Sequence, residues 1–149
     1  MSLHVVSPPL PAAVPADPPW QYGLQLPHDP RAPRIARSTV TAVLREHGLC
    51  DLVDTAELLL SELVTNAFRY SEGAVCVRVC WAEGALRTTV RDTDPRPPSV
   101  AAAPAEACRT RGRGLLLVQR LAHRWGHYDF ARTTGGKAVW FELLSESRL

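Results

Sequence analysis

The chain of 149 residues is long enough for one domain, and 46% of its residues are hydrophobic while 21% are charged. It can therefore bury a core, which excludes a disordered polyanion or polycation. The formal net charge of +2 is too close to neutrality to indicate nucleic-acid binding by itself. No apolar run is long enough for a transmembrane helix and no secretory signal is recognisable, so we expect a cytoplasmic protein.

The four cysteines, Cys50, Cys76, Cys80 and Cys108, do not form a metal-binding pattern. There is no Cys-x-x-Cys pair and no histidine at zinc-finger spacing. Cys76 and Cys80 would be too far apart along an extended strand for a disulfide. We therefore expect small buried thiols in a reducing compartment.

The first part of the chain predicts a lead-in, a strand and a helix. Six prolines within residues 1–19 predict a disordered segment, so the domain itself is expected over 20–149. Alternation predicts a first strand over 20–26. After a turn, a helix is predicted over 34–47, with Ile35 in its apolar stripe.

The strongest helical pattern of the chain runs from about residue 51 to Ser71. Its apolar residues cover one arc of a helical wheel. Glu62, Asn66 and Arg69 form a polar ridge beside that arc. We expect these three side chains to be partly buried rather than on the open solvent face.

The second half of the chain predicts two hairpins separated by a long loop and a helix. The elements in order are strands over 74–81 and 86–92, a proline-containing loop over 93–111, a helix over 115–124, and strands over 126–131 and 137–144. This order predicts an α+β fold, a two-layer sandwich with a mixed, mostly antiparallel sheet and about three helices on one face.

The polar ridge of the second helix carries a first candidate for chemistry. A carboxylate and an amide at positions i and i+4 project from the same side of a helix. Glu62 is able to act as a general base, and the amide oxygen of Asn66 is able to hold a hard cation such as Mg²⁺. The spacing alone fits a plainer interpretation better, a polar flank with helix-local hydrogen bonds.

Two further candidates lie at element boundaries. Asp92 ends a strand, where its carboxylate can accept a hydrogen bond from a ligand amine or simply start a turn. Gly112 and Gly114 open a helix, where backbone N–H groups can approach a phosphate. Arg111 and Arg113 add cationic donors. The alternative is a flexible loop end with solvated arginines.

Taken in this order, the segments resemble a known superfamily. Glu62-Leu-Val-Thr-Asn-Ala-Phe-Arg-Tyr-Ser71 resembles the N box of the histidine-kinase-like ATPases, which include gyrase, heat-shock chaperones, histidine kinases and MutL. Val90-Arg-Asp92 resembles the start of the G1 box, Arg111-Gly-Arg-Gly-Leu-Leu-Leu-Val118 resembles the G2 box, and residues 136–143 resemble the last strand. More narrowly, residues 20–145 resemble the small single-domain anti-sigma factor serine kinases and their actinobacterial relatives.

The resemblance implies the ATP-binding sandwich called the Bergerat fold, with ATP and Mg²⁺ as cofactors. It makes Glu62 the general base, Asn66 the Mg²⁺ ligand and Asp92 the acceptor for the adenine amino group. Residues 93–111 would be the lid over the nucleotide. The other expected ATP contacts are Arg69, Arg111, Gly112, Arg113, Gly114 and Leu115.

In anti-sigma factor kinases, the phosphate acceptor is a serine of an anti-anti-sigma partner, and the kinase also sequesters a sigma factor. The resemblance therefore implies a serine/threonine protein kinase that regulates transcription through these two partners. No membrane contact and no direct nucleic-acid contact are expected. A homodimer is possible through the exposed first strand.

Two segments depart from the family pattern. The G1 pattern Asp-x-Gly-x-Gly is replaced by Asp92-Thr-Asp94-Pro-Arg96, so both glycines are lost and a second carboxylate is added. Relatives often carry a threonine in the last strand, supporting the adenine-binding aspartate, where this chain has Ala138. These changes leave an alternative function open, a catalytically weak or inactive nucleotide-binding module that acts through protein contacts.

Overall fold

The structure, a computed structural model, describes residues 18–92, 113–130 and 135–145. The predicted lead-in and lid lie largely outside these residues. In chain order the elements are β1 (Trp20–Leu26), α1 (Ala32–Glu46), α2 (Val53–Tyr70), β2 (Val75–Ala82), β3 (Ala85–Asp92), α3 (Arg113–Leu121), β4 (Arg124–Asp129) and β5 (Lys137–Leu144). One 3-10 turn, Cys50–Leu52, leads into α2.

The five strands form one sheet in the order β1–β2–β3–β5–β4. All four pairings between these described strands are antiparallel. The α+β class is confirmed, although no parallel pair joins the described strands, so this sheet is not mixed. The β2–β3 hairpin lies near its centre and turns at Glu83 and Gly84, whose φ angles of 53° and 79° suit a two-residue turn.

One face of the sheet packs against the helices. In β2 the buried side chains are Val75, Val77, Val79 and Trp81, as the alternation predicts. The predicted apolar arc of α2 is also buried: Ala56, Leu59, Leu60, Leu63, Val64 and Ala67 all contribute to the core. Helix α2 contacts α1, α3, β2 and β3. It is therefore the central helix of the layer.

Some predicted boundaries and one predicted core residue are wrong. Helix α3 ends at Leu121 rather than 124, and β4 starts at Arg124 rather than 126, because Trp125 already packs against the core. In α1, small and branched residues spaced by four face α2, so Ile35 is 51% exposed.

The expected burial of the cysteine thiols is also wrong for those that the structure describes. Cys50 and Cys76 are exposed and Cys80 is half-buried, whereas Cys108 lies outside the described residues. Cys76 and Cys80 occupy the strand positions that face away from the helices. Within the described ranges, no group of three or more metal-ligating side chains occurs, and no helix is long and apolar enough to span a membrane.

The face of the sheet that is turned away from the helices is called the open face below. Arginine side chains lie over aromatic rings there. The Arg87 guanidinium lies 4.1 Å from the ring centroid of Trp140 and is held by Glu142, while Arg91 lies 4.2 Å from the ring centroid of Phe130. These pairs cover part of the sheet that none of the described helices covers.

Candidate functional site

The C-terminal turns of α2 lie over one end of the sheet. Strand β2 begins at Val75, shortly after α2 ends at Tyr70, so this helix end and the start of β2 are close together. The His28 ring, which follows β1, donates from Nε2 to the carbonyl oxygen of Phe68 at 3.0 Å. This contact ties the end of α2 to the same end of the sheet.

Glu62 and Asn66 lie one turn apart on this part of α2, separated by about 6 Å along the helix axis. Both side chains are half-buried, as the wheel predicts. In the described part of the chain, neither side chain makes a hydrogen bond or ion pair. By contrast, Ser61 does make the helix-local kind of bond, donating to the Glu57 carbonyl oxygen at 2.7 Å. The plainer interpretation of Glu62 and Asn66 as locally bonded is therefore not supported.

Arg69 does not share the partial burial of the ridge. It lies in the last turn of α2 and its side chain is exposed, so the expectation of partial burial is wrong for this residue. It lies on the same side of the helix as the exposed residues Leu58 and Thr65, where a guanidinium reaches water.

Asp92 ends β3 on the face that packs against the helices and is only 7% exposed. Its register partner on β5 is Lys137, whose Nζ lies 3.3 Å from Oδ2 of Asp92. The Lys137 side chain is 14% exposed. The carboxylate that is expected to accept a hydrogen bond from the adenine amino group is therefore largely buried and forms an ion pair.

In the strand register, Lys137 rather than Ala138 lies opposite Asp92. Successive residues of a strand point to opposite faces, so Lys137 shares the helix side with Asp92. Ala138 pairs with Arg91 and Tyr128 on the open-face side. A hydroxyl at position 138 would therefore lie on the other face of the strand from the Asp92 carboxylate. Sequence reasoning missed Lys137, and only the strand register reveals it.

Helix α3 approaches the same end of the sheet. Its C-terminus leads into Arg124, which pairs with Glu142 at the far end of β5, so its N-terminus points toward the end that holds Asp92. Arg113 and Gly114 lie in its first turn, while Arg111 and Gly112 lie outside the described residues.

The first turn of α3 has backbone N–H groups without intrahelical acceptors and carries the positive end of the helix dipole, which together favour an anion. Leu115 contributes no side chain to such a site because it is 5% exposed and packs in the core.

Four elements thus converge on one end of the helix layer: the end of α2, the end of β3, the start of β5 and the start of α3. They offer the carboxylate of Glu62 and the amide of Asn66, the buried carboxylate of Asp92 beside an ammonium, and a helix N-terminus that favours an anion. The family described as the histidine kinase-like ATPase domain matches residues 26–143. The chain belongs to this family.

The histidine kinase-like ATPase match begins at Leu26, the last residue of β1, and ends at Leu143 in β5. It therefore includes all four elements of the candidate site. A comparison with curated proteins finds no match. Family membership supports ATP binding by this domain.

Proposed function

We propose that this histidine kinase-like ATPase domain is a protein serine kinase that phosphorylates an anti-anti-sigma partner and thereby controls a sigma factor. The observation that carries the proposal is the pair Glu62 and Asn66, half-buried on one side of α2 and without a side-chain partner among the described residues. A general base beside a metal ligand suits phosphoryl transfer to a hydroxyl, which depends mostly on positioning and charge neutralisation.

The residues present fit ATP and Mg²⁺. Asn66 supplies an amide oxygen, a ligand that Mg²⁺ accepts, and bound Mg²⁺ would neutralise phosphate charge. Glu62 would accept the proton of the acceptor serine, and Asp92 would accept a hydrogen bond from the adenine amino group. The triphosphate would be held by the first turn of α3 and its approach, which comprise Arg111, Gly112, Arg113, Gly114 and Leu115.

The role of Asn66 is tested by calorimetry of ATP binding with and without Mg²⁺. We expect the wild type to bind more tightly with Mg²⁺, and Asn66→Ala to lose about tenfold in affinity together with most of the Mg²⁺ dependence. Thr65→Ala is the matched control because Thr65 is the exposed neighbour on the same helix turn. Equal, Mg²⁺-dependent affinities for wild type and Asn66→Ala would remove Asn66 from the site.

The kinase activity is tested with labelled ATP and the cognate anti-anti-sigma protein. We expect transfer of label to a serine, and loss of that transfer in Glu62→Gln with ATP binding retained, because the amide cannot accept the proton. Glu57→Gln is the control, since Glu57 is half-buried on the same helix but is contacted by Thr41 at 3.5 Å. Absence of transfer, or transfer that Glu62→Gln leaves unchanged, would contradict the proposal.

A second candidate is a nucleotide-binding module without catalysis that acts by holding a protein partner. Two observations favour it: the ion pair between Lys137 and Asp92, and the replacement of the two G1 glycines by Asp94 and Arg96. Both alter the surroundings of the expected adenine acceptor. Capture of the sigma factor by Asn66→Ala in the absence of nucleotide would favour this module over the kinase.

Self-association through β1 is also part of the proposal. Among the described strands, β1 pairs only with β2, so its other edge presents backbone groups that a second copy is able to pair. The open face suits a dimer less well, because two copies would oppose the exposed arginines Arg78 and Arg91. Sedimentation velocity over a concentration series measures this, and a monomer throughout would contradict it.

A further inference from the structure

The pair formed by Asp92 and Lys137 carries an inference about how the nucleotide base is read. The two side chains lie at the converging end of β3 and β5, on the helix side, and both are mostly shielded from water. We propose that Lys137 is a base-reading residue: its ammonium donates to ring nitrogen N1 of adenine while Asp92 accepts from the 6-amino group. The inference rests on the proposed role of Asp92 in ATP binding.

The chemistry of the pair matches the edge of adenine. An ammonium has three donors and no acceptor, whereas an ionised carboxylate only accepts. Adenine presents a donor, its amino group, next to an acceptor, N1. Nζ of Lys137 and Oδ2 of Asp92 lie 3.3 Å apart and so present a donor next to an acceptor. One carboxylate has lone pairs for several hydrogen bonds, so contact with Lys137 and contact with a base are compatible.

The position of Lys137 is fixed by its surroundings. Strand pairing sets its backbone opposite Asp92, and partial burial restricts its long side chain. Lys137 is also the only lysine in the chain, where every other basic residue apart from histidine is an arginine. A compact ammonium leaves more room beside a carboxylate and a base than the broad, forked guanidinium would.

The same pair would reject guanine in that orientation. Guanine places a carbonyl oxygen where adenine has its amino group, and a ring N–H where adenine has N1. The carbonyl would oppose the Asp92 carboxylate and the ring N–H would oppose the Lys137 ammonium. Two mismatched polar contacts in a shielded site cost more affinity than the one mismatch that Asp92 alone would impose.

The test is a binding cycle that changes the protein and the ligand at the same contact. ATP and 1-deaza-ATP, in which N1 is replaced by C–H, are titrated into wild type and Lys137→Met by calorimetry. We expect each single change to weaken binding about tenfold, and 1-deaza-ATP to bind Lys137→Met no more weakly than ATP does. Arg91→Met, which removes a cation next to Asp92 in sequence but on the open face, should keep the full penalty for 1-deaza-ATP.

A second variant guards against a folding defect, because Lys137→Met takes one cation away from a largely buried carboxylate. Lys137→Gln retains an amide donor, and we expect it to keep part of the N1 penalty. If wild type binds ATP but the 1-deaza penalty is equal in wild type and both variants, Lys137 does not read the base and the proposed function stands. Tighter ATP binding by Lys137→Met would likewise overturn the inference. If wild type binds no ATP, the proposed function itself fails.

Discussion

At the scale of single residues, the Thr88 hydroxyl is a buried polar group that lacks a hydrogen-bond partner in the described part of the chain. Among the described residues, its Oγ1 is the one buried side-chain polar atom without a hydrogen-bond partner. Because an unsatisfied buried hydroxyl opposes folding and valine has nearly the same shape, we expect Thr88→Val to raise the free energy of unfolding by about 1 kcal/mol. Urea unfolding followed by circular dichroism measures this change.

The neighbouring Thr89 provides the control, since it occupies the open-face side of β3 and is only half-buried. We expect Thr89→Val to change the free energy of unfolding by less than about 0.5 kcal/mol. A loss of stability in Thr88→Val would show that the hydroxyl is satisfied after all, for example by an internal water.

At the scale of elements, the edge strand β4 depends on Gly126. A Cβ at this position would lie 2.7 Å from the Trp140 ring, which Arg87 covers with its guanidinium. Because the indole would have to move, we expect Gly126→Ala to destabilise the domain by about 1–3 kcal/mol and to shift tryptophan fluorescence. Chemical unfolding and the emission spectrum measure the two effects.

The matched control for β4 is Gly23→Ala in the opposite edge strand, β1. Gly23 also lies on the open-face side, but a Cβ there meets nothing within 4 Å. Since glycine is costly in a strand, this change should be neutral or slightly stabilising. Equal effects of the two substitutions on stability would mean that the Trp140 ring moves aside without a loss of folding free energy.

At the scale of the whole molecule, the candidate site is tied to the core because four elements contribute to it. A ligand that binds only this assembled end stabilises the entire fold. We expect ATP with Mg²⁺ at 100 times its Kd to raise the unfolding temperature by about 10 °C, and inorganic triphosphate to give a smaller shift. Differential scanning calorimetry compares the two, and equal shifts would mean that the base is not bound.

The sequence was informative where one local pattern decides the structure. The apolar arc of α2 predicts both its buried stripe and the half-buried positions of Glu62 and Asn66, because helical geometry alone relates these residues. The alternation of β2 likewise predicts its core face. Two glycine-containing turns locate the hairpins, and Asp92 ends its strand as predicted.

Sequence patterns did not predict the features of the fold and of the site that tertiary contacts determine. The start of β4 depends on Trp125 reaching the core, and the site of Gly126 depends on a ring from the next strand. The choice between Lys137 and Ala138 as the neighbour of Asp92 depends on strand register, in which a shift of one residue exchanges the two faces. A sequence without its pairings does not specify that register.

The strand order also has a consequence for folding kinetics. The β2–β3 and β4–β5 hairpins each pair strands that are neighbours along the chain, whereas the pairing of β3 with β5 joins the two hairpins across a chain segment that includes α3 and β4. Long loops close at a higher entropic cost, so we expect the two hairpins to dock after each has formed. Asp92 and Lys137 meet only at that docking step. A folding intermediate with separate hairpins would therefore lack the proposed base-reading pair, and ATP bound there would select chains that have completed the sheet.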